Sequence, residues 1–499
     1  MAGKRTLPGP ITILMGIIII AAIATWVIPA GQYHRLSVNG DVFTVTTPDT
    51  SINLPLTQRT LDSLDIHIPL KAFRDGDIRK PVSMPGTYQR LEKNPQGIIG
   101  ILQAPVKGIY DTIDIILFIL TIGGFMMVFH ESGAMLKGLT VLSHKMKGKE
   151  AWLIIILTFL FSFAGSSYGM AEEAIVFYPV LVPLFLAAGY DLLVPVAVIF
   201  GGTQLGTLSS FSNPFSTITA SNAAGVNWLD GFNERLLVFA ITTIISIIYI
   251  VRYAQKIKKN PAASIVFKTD GDVKPPYEVM STATDTVPKM DLKSNLMLLL
   301  FLFTFLTMIT GVIWWGWWLT EMTALFVAAS ILVAFILRMK EKLFIQQFIK
   351  GAADLLTVAF IVGVARGVTI VLNDGNISDS ILYYAANMVQ GFPGPVFILL
   401  ILVLYFVLTL FISSSSGMAV LTMPIIGALA IFANVPGREI VNAYLYGMGI
   451  IGFMTPTGLI LPSLALVNVS MKSWLRFIYP LMIWLLLVCA VFLIAGIYI

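Results

Sequence analysis

One cysteine in 499 residues, Cys489, excludes an intramolecular disulfide, and no Cys/His set has the spacing of a metal site. His130-Glu131 lacks the second histidine of an HExxH helix. A Walker lysine loop and a Gly-x-Ser-x-Gly elbow are also missing, so the sequence offers no enzyme signature and no catalytic residue. Without a nucleotide motif, any pumping has to draw on an ion or exchange gradient. Charge is scarce too: 12% of residues, against about 25% in soluble chains. The basic residues are scattered without forming a basic domain, which argues against nucleic acid as a partner.

What the chain has in quantity is apolar sequence, 57% of residues, with a mean hydropathy of +0.85. The expected fold class is an all-α polytopic membrane protein whose partners are the lipid bilayer and a small-molecule substrate. Residues 1–29 resemble a signal peptide, but the apolar run from Ile11 to Ile28 is too long and reads as a first span. Residues 30–107 are polar and form an extracytoplasmic cap, with a type I′ hairpin signal at Asn39-Gly40. Residues 108–253 form a first repeat, 254–293 a cytoplasmic linker, 294–338 connecting spans and 351–499 a second repeat. Lys137, Lys145, Lys256, Arg338, Lys340 and Lys472 fall in alternate loops, whereas 373–394 holds no Lys or Arg. That bias puts the N-terminus in the cytoplasm and inverts one half against the other.

Four interruptions break the apolar runs. Gly165-Ser166-Ser167-Tyr168-Gly169, followed by Glu172 and Glu173, divides 151–187 into a re-entrant hairpin. Thr207 to Pro214 breaks the helix expected over 190–222. Ser413 to Ser416 with Gly417 divides a second hairpin, 394–434, and Thr455 to Gly458 breaks 439–468. Unpaired backbone at depth is tolerated only against protein or a watery cavity, and matched interruptions mark transporter binding sites. Upstream, Gly108-Ile109-Tyr110-Asp111 matches Gly351-Ala352-Ala353-Asp354, and the order of features supports an internal repeat.

The interruptions carry the candidate binding residues. An acidic group at a span centre costs about 2.5–3.5 kcal/mol. Glu172 and Glu173 therefore suit a cationic substrate group, a sodium ion or a proton, or else an internal salt bridge. Ser166, Ser167, Ser414 and Ser415 sit beside helix N-termini suited to a carboxylate; the alternative is close packing through small residues. Ser209, Ser212 and Asn213, and Thr455 and Thr457, flank prolines and fit an unwound turn touching a ligand. Arg366 could hold a substrate carboxylate or neutralise Glu172, Glu173 or Asp374. Asp111, Asp114 and Asp354 read as interfacial.

Gly169-Met170-Ala171-Glu172-Glu173, Ser212-Asn213-Pro214-Phe215 and Ala365-Arg366-Gly367 resemble the YfcC-type branch of the DcuC-like C4-dicarboxylate carriers, within the ion transporter superfamily. The resemblance covers about residues 11–499. It implies a scaffold plus a transport domain, two opposed hairpins, elevator-type motion, a homodimer and the bacterial cytoplasmic (inner) membrane. Related branches bind dicarboxylates and coordinate sodium at Ser-Asn-Thr turns, which places a possible Na+ near Ser212, Asn213, Thr455 and Thr457. Here those turns read Ser212-Asn213-Pro214 and Thr455-Pro456-Thr457. The branch is also similar to arginine/ornithine exchangers. The leading expectation is a secondary transporter of small, basic amino acids with no cofactor beyond Na+ or H+ as coupling ion. The alternative is Na+- or H+-coupled C4-dicarboxylate transport with Arg366 on the anion.

Overall fold

Inside lipid every backbone N–H and C=O has to be paired within the protein, and long apolar runs meet that demand as helices. A computed structural model describes residues 10–498 except 49, 65, 67, 75–77, 79–80, 146–147, 168, 272, 274–289, 316, 390, 413 and 434. Tyr168, Ser413 and most of the linker expected at 254–293 lie outside the described residues. Among the described residues eight helices are long and apolar enough to cross a membrane: Pro10–Val27, Ile113–His130, Glu150–Ser167, Phe232–Lys259, Leu319–Leu337, Leu356–Asp374, Gly394–Phe411 and Met471–Gly496.

The elements of the two halves pair in the same order. Helix Ile98–Asp111 packs on Leu356–Asp374, and Glu341–Asp354 packs on Ile113–His130. Each contact is made through glycine: a Cβ on Gly108 would collide with the Gly363 carbonyl, and one on Gly351 with the Gly123 carbonyl. Pro10–Val27 covers Leu356–Asp374 as Leu319–Leu337 covers Ile113–His130. Glu150–Ser167 runs parallel to Leu193–Leu208, with Thr158 beside Gly202 and Ser162 beside Gly206. Gly394–Phe411 runs parallel to Gly437–Gly452 in the same way, with Tyr405 beside Gly447 and Thr409 accepting from Thr455.

Two sequence expectations change. Residues 98–107 are not cap but the body of helix Ile98–Asp111, which bends into the next helix at Thr112, whose hydroxyl donates to the Gly108 carbonyl at 2.8 Å. The hairpin in the cap is present, but its register differs from the one expected. Asn39 pairs with Val42, so the turn is Gly40-Asp41. Only Gly40 has positive φ, +58°, and glycine first in the turn is the type II′ pattern rather than I′.

The cap contains a four-stranded sheet in the order Ser51–Pro55, Val42–Thr46, Arg35–Asn39, Val82–Ser83. It docks on the short helix Ser378–Met388. Arg35 reaches both oxygens of the buried Asp379 carboxylate at 2.7 and 2.9 Å, and the Tyr33 N–H donates to it at 2.9 Å. Burial pushes the Asp379 carboxyl up from its usual range, and Arg35 pulls it the other way. Tyr88 stacks on Tyr383 with centroids 4.0 Å apart. Strand Val82–Ser83 also touches helix Ser415–Phe432, so the cap bridges to the second hairpin.

Candidate functional site

The first break begins where Leu193–Leu208 ends. A π-helical turn, Pro214–Ile218, and the short helix Thr219–Ala223 follow it. Asn213 caps the turn: its Oδ1 accepts from the N–H of Phe215 at 2.8 Å and of Ser216 at 3.2 Å. Its Nδ2 donates to the Gly165 carbonyl at 3.1 Å, which ties the break to the first hairpin. The buried Ser166 hydroxyl donates to the Ser209 carbonyl at 2.9 Å and accepts from the Phe211 N–H at 3.2 Å. Ser212 Oγ donates to the Ser167 carbonyl at 3.1 Å. The hairpin tip and the break form one hydrogen-bonded knot.

This knot engages several of the candidate residues with protein groups. Ser167 and Ser209 were expected on a ligand, but their hydroxyls turn back to Phe163 and Leu205 of their own helices. A serine hydroxyl at a helix C-terminus has the carbonyl four residues back within easy reach. Asn213 was expected near sodium, but its amide oxygen already accepts two N–H bonds and its nitrogen is engaged. Ser166 and Ser212 use their donors on carbonyls and keep only acceptor lone pairs, which suit a cation better than a carboxylate.

The tip continues as the 3-10 turn Glu172–Phe177 and then helix Tyr178–Ala187. Glu173 is buried and its Oε2 accepts the Ala171 N–H at 2.9 Å. Glu172 is half-buried and lies within electrostatic range of both Glu173 and Asp114. Asp114 lies in the first turn of helix Ile113–His130. Among the described residues no Lys or Arg pairs with Glu172, Glu173 or Asp114. The expected salt bridge to Arg366 is not formed: Arg366 pairs with Asp111, and Lys107 takes Asp374 at 2.6 Å. Helix Ile98–Asp111, read as loop in the sequence, is what brings Asp111 and Lys107 alongside.

The second break repeats the pattern. Thr455 and Thr457 are buried with hydroxyls 2.9 Å apart, and Thr457 donates to the Leu410 carbonyl at 3.2 Å. Ser414 Oγ accepts the Gly417 N–H at 3.1 Å as the cap of helix Ser415–Phe432, and the Ser415 carbonyl accepts the Tyr444 hydroxyl at 2.9 Å. The two breaks meet. Gly449 lies directly on Leu208, and Gln204 reaches across to donate to the Gly449 carbonyl at 3.0 Å. Tyr178 lies within electrostatic range of Ser463 beyond the second break, while Thr219–Ala223 packs on Ser415–Phe432 beyond the first. Gln204, Tyr178 and Tyr444 escaped the sequence reading, since single polar residues in apolar helices carry no local signal.

Membrane-length helices, interrupted twice per half and joined at their polar interruptions, define a multi-pass membrane transporter. The chain belongs to the DcuC family, described as C4-dicarboxylate anaerobic carriers, whose sequence model matches residues 7–498. Members of this family are carriers rather than enzymes. An uncharacterized protein of Haemophilus influenzae is 39% identical over 98% of this chain and 97% of its own. The "Putative basic amino acid antiporter YfcC" of Escherichia coli is 28% identical, over 95% of this chain and 93% of its own. Two solved structures, Neisseria gonorrhoeae MtrF and Alcanivorax borkumensis YdaH, align at 14% identity and TM-score 0.41. The alignments cover 99% and 98% of this chain, and 96% and 98% of theirs.

Proposed function

We propose that this protein is a secondary active transporter of small basic amino acids, working by arginine/ornithine-type exchange. The observation that carries the reading is the acidic tip of the first hairpin: Glu172, Glu173 and Asp114 lie together with no cation paired to them among the described residues. Unneutralised carboxylates inside a membrane protein demand a positive partner, and a guanidinium or ammonium group supplies one. The description of YfcC supports the same substrate class. Ser414, Ser415 and the N-terminus of Ser415–Phe432 receive the α-carboxylate. Thr455, Thr457 and Ser212 offer oxygens to a coupling Na+.

In this reading the halves are inverted repeats with re-entrant hairpins. The first opens to the cytoplasm and the second, under the cap, to the outside. The N-terminus is cytoplasmic, the membrane is the bacterial inner membrane, and the protein is a homodimer. The hairpins and broken helices move as an elevator against a scaffold built from Ile98–His130 and Glu341–Asp374.

The family description favours carboxylates as an alternative, but Arg366, the cation that reading needs, is paired with Asp111. Proteoliposomes separate the two. With ornithine inside, labelled arginine should enter faster than into empty vesicles. Succinate uptake without arginine uptake would overturn the substrate class.

A further inference from the structure

A second group of buried charges lies away from the breaks, where the N-terminal turns of Phe232–Lys259 and Gly437–Gly452 meet the end of Met471–Gly496. Glu439, Asn442, Arg235 and Tyr446 are all fully buried. One amide nitrogen, Asn442 Nδ2, donates to Glu234 Oε2 and to Glu439 Oε2, each at 3.2 Å. The two carboxyls therefore converge on a single donor group. Asn442 is held in that orientation because its Oδ1 accepts from Arg235 Nη1 at 3.3 Å.

The cations do not neutralise this pair evenly. Arg438 bonds Glu439 at 3.1 Å and donates to the Gly496 carbonyl at 3.1 Å. Arg235 instead donates to the carbonyls of Trp228 and Asp230. Among the described residues no Lys or Arg pairs with Glu234. Three buried atoms in this pocket also lack hydrogen-bond partners: Glu234 Oε1, Arg235 Nε and the Tyr446 hydroxyl. Tyr446 lies within electrostatic range of Glu234, Glu439, Arg235 and Cys489, and Asp230 within range of Arg235.

Two carboxylates sharing one site cannot both ionise cheaply, and a proton held between them removes the conflict. Loss of that proton leaves Glu234 Oε1 as a strong acceptor, with Arg235 Nε and the Tyr446 hydroxyl as vacant donors nearby. The pocket thus has a distinct arrangement ready for each protonation state. It is also connected to the transport site. Glu439 lies about 20 Å along its helix from the second break at 1.5 Å per residue, and Tyr444 of the same helix bonds the tip of the second hairpin.

We propose that the Glu234–Glu439 pair, framed by Arg235, Arg438, Asn442 and Tyr446, is a proton-binding site distinct from the substrate site, and that it couples proton movement to transport. The coupling rests on the transporter reading; the proton site does not. Infrared titration of the purified full-length protein tests the site directly. A protonated-carboxyl band should disappear as pH is raised, and the part of it due to this pair should be lost from both Glu234→Gln and Glu439→Gln. A band unchanged by both substitutions would overturn the site. Glu234 is the less buried, so Glu234→Gln serves if Glu439→Gln fails to fold. In ornithine-loaded vesicles carrying a pH dye, arginine entry should move protons in the native protein, and Glu234→Gln should reduce protons per arginine to background. Arginine exchange without proton movement overturns the coupling. Absence of any arginine exchange counts against the substrate reading, while the infrared result still decides the proton site.

Discussion

Asn213 engages three backbone groups at the first break, two as acceptor and one as donor. Asn213→Ala should lower stability by about 1–2 kcal/mol, the usual cost of losing a cap. It would be read as a lower melting temperature in detergent, and an unchanged melt would show that the knot does not depend on this side chain. Glu172 and Glu173 are neighbours with different surroundings. Glu173 closes on the Ala171 N–H, while Glu172 lies within electrostatic range of Glu173 and Asp114. Glu172→Gln should therefore raise the KM for arginine about tenfold or more, since removing one charge-assisted bond is worth at least ~1.4 kcal/mol. Glu173→Gln, whose amide oxygen can still accept from Ala171, should change KM less. Equal effects from the two would mean that both carboxylates meet the substrate. In the sequence the two glutamates look alike; their division of labour depends on the turn that follows Gly169 (φ +88°), which no local pattern dictates.

The helices of this protein touch one another at glycine. A Cβ at position 449 would run into the backbone of Leu208, which cannot retreat as a flexible side chain could. Gly449→Ala should thus cost about 1–3 kcal/mol through overpacking and weaken transport by parting the two breaks. A variant with native stability would show that the helices can separate freely. The cap supplies a second case. Asp379→Asn removes the partner of Arg35, and the loss should be about 2 kcal/mol, below the 3–5 kcal/mol of a fully buried pair because Arg35 remains partly exposed. Faster proteolysis within residues 30–97 would report it. The breaks were legible because Ser, Gly and Pro clusters stand out in apolar sequence. Helix Ile98–Asp111 was not: Pro105 and Lys107 make it read as loop, and its helical character follows from packing on Leu356–Asp374. The partner of Arg366 was hidden for the same reason. Glu234 and Glu439, at span ends and far apart in the chain, become a pair only when the two halves fold together.

The main helix pairings recur between the halves, Ile98–Asp111 on Leu356–Asp374 and Glu341–Asp354 on Ile113–His130, and the two breaks touch where Gly449 meets Leu208. Such a molecule has two ways to expose its centre: its parts can bend in place, or the central group can slide against the outer helices. The alternatives differ at the contacts between the outer helices and the hairpins, of which one is well suited to a test. Thr369, on Leu356–Asp374, donates to the Phe411 carbonyl at the tip of the second hairpin at 3.0 Å. Sliding has to break this bond, whereas local opening of either hairpin arm need not. Cysteines at 369 and 411, in a Cys489→Ala background, allow the contact to be fixed with a short cross-linker. Native Cys489 is fully buried, so its replacement removes no exposed thiol. Under sliding, cross-linked protein should lose nearly all arginine exchange and recover it when a cleavable linker is cut. Exchange that continues at the rate of the uncross-linked protein would show that the hairpin tip and the outer helix stay together through the cycle, and that the centre opens without an elevator.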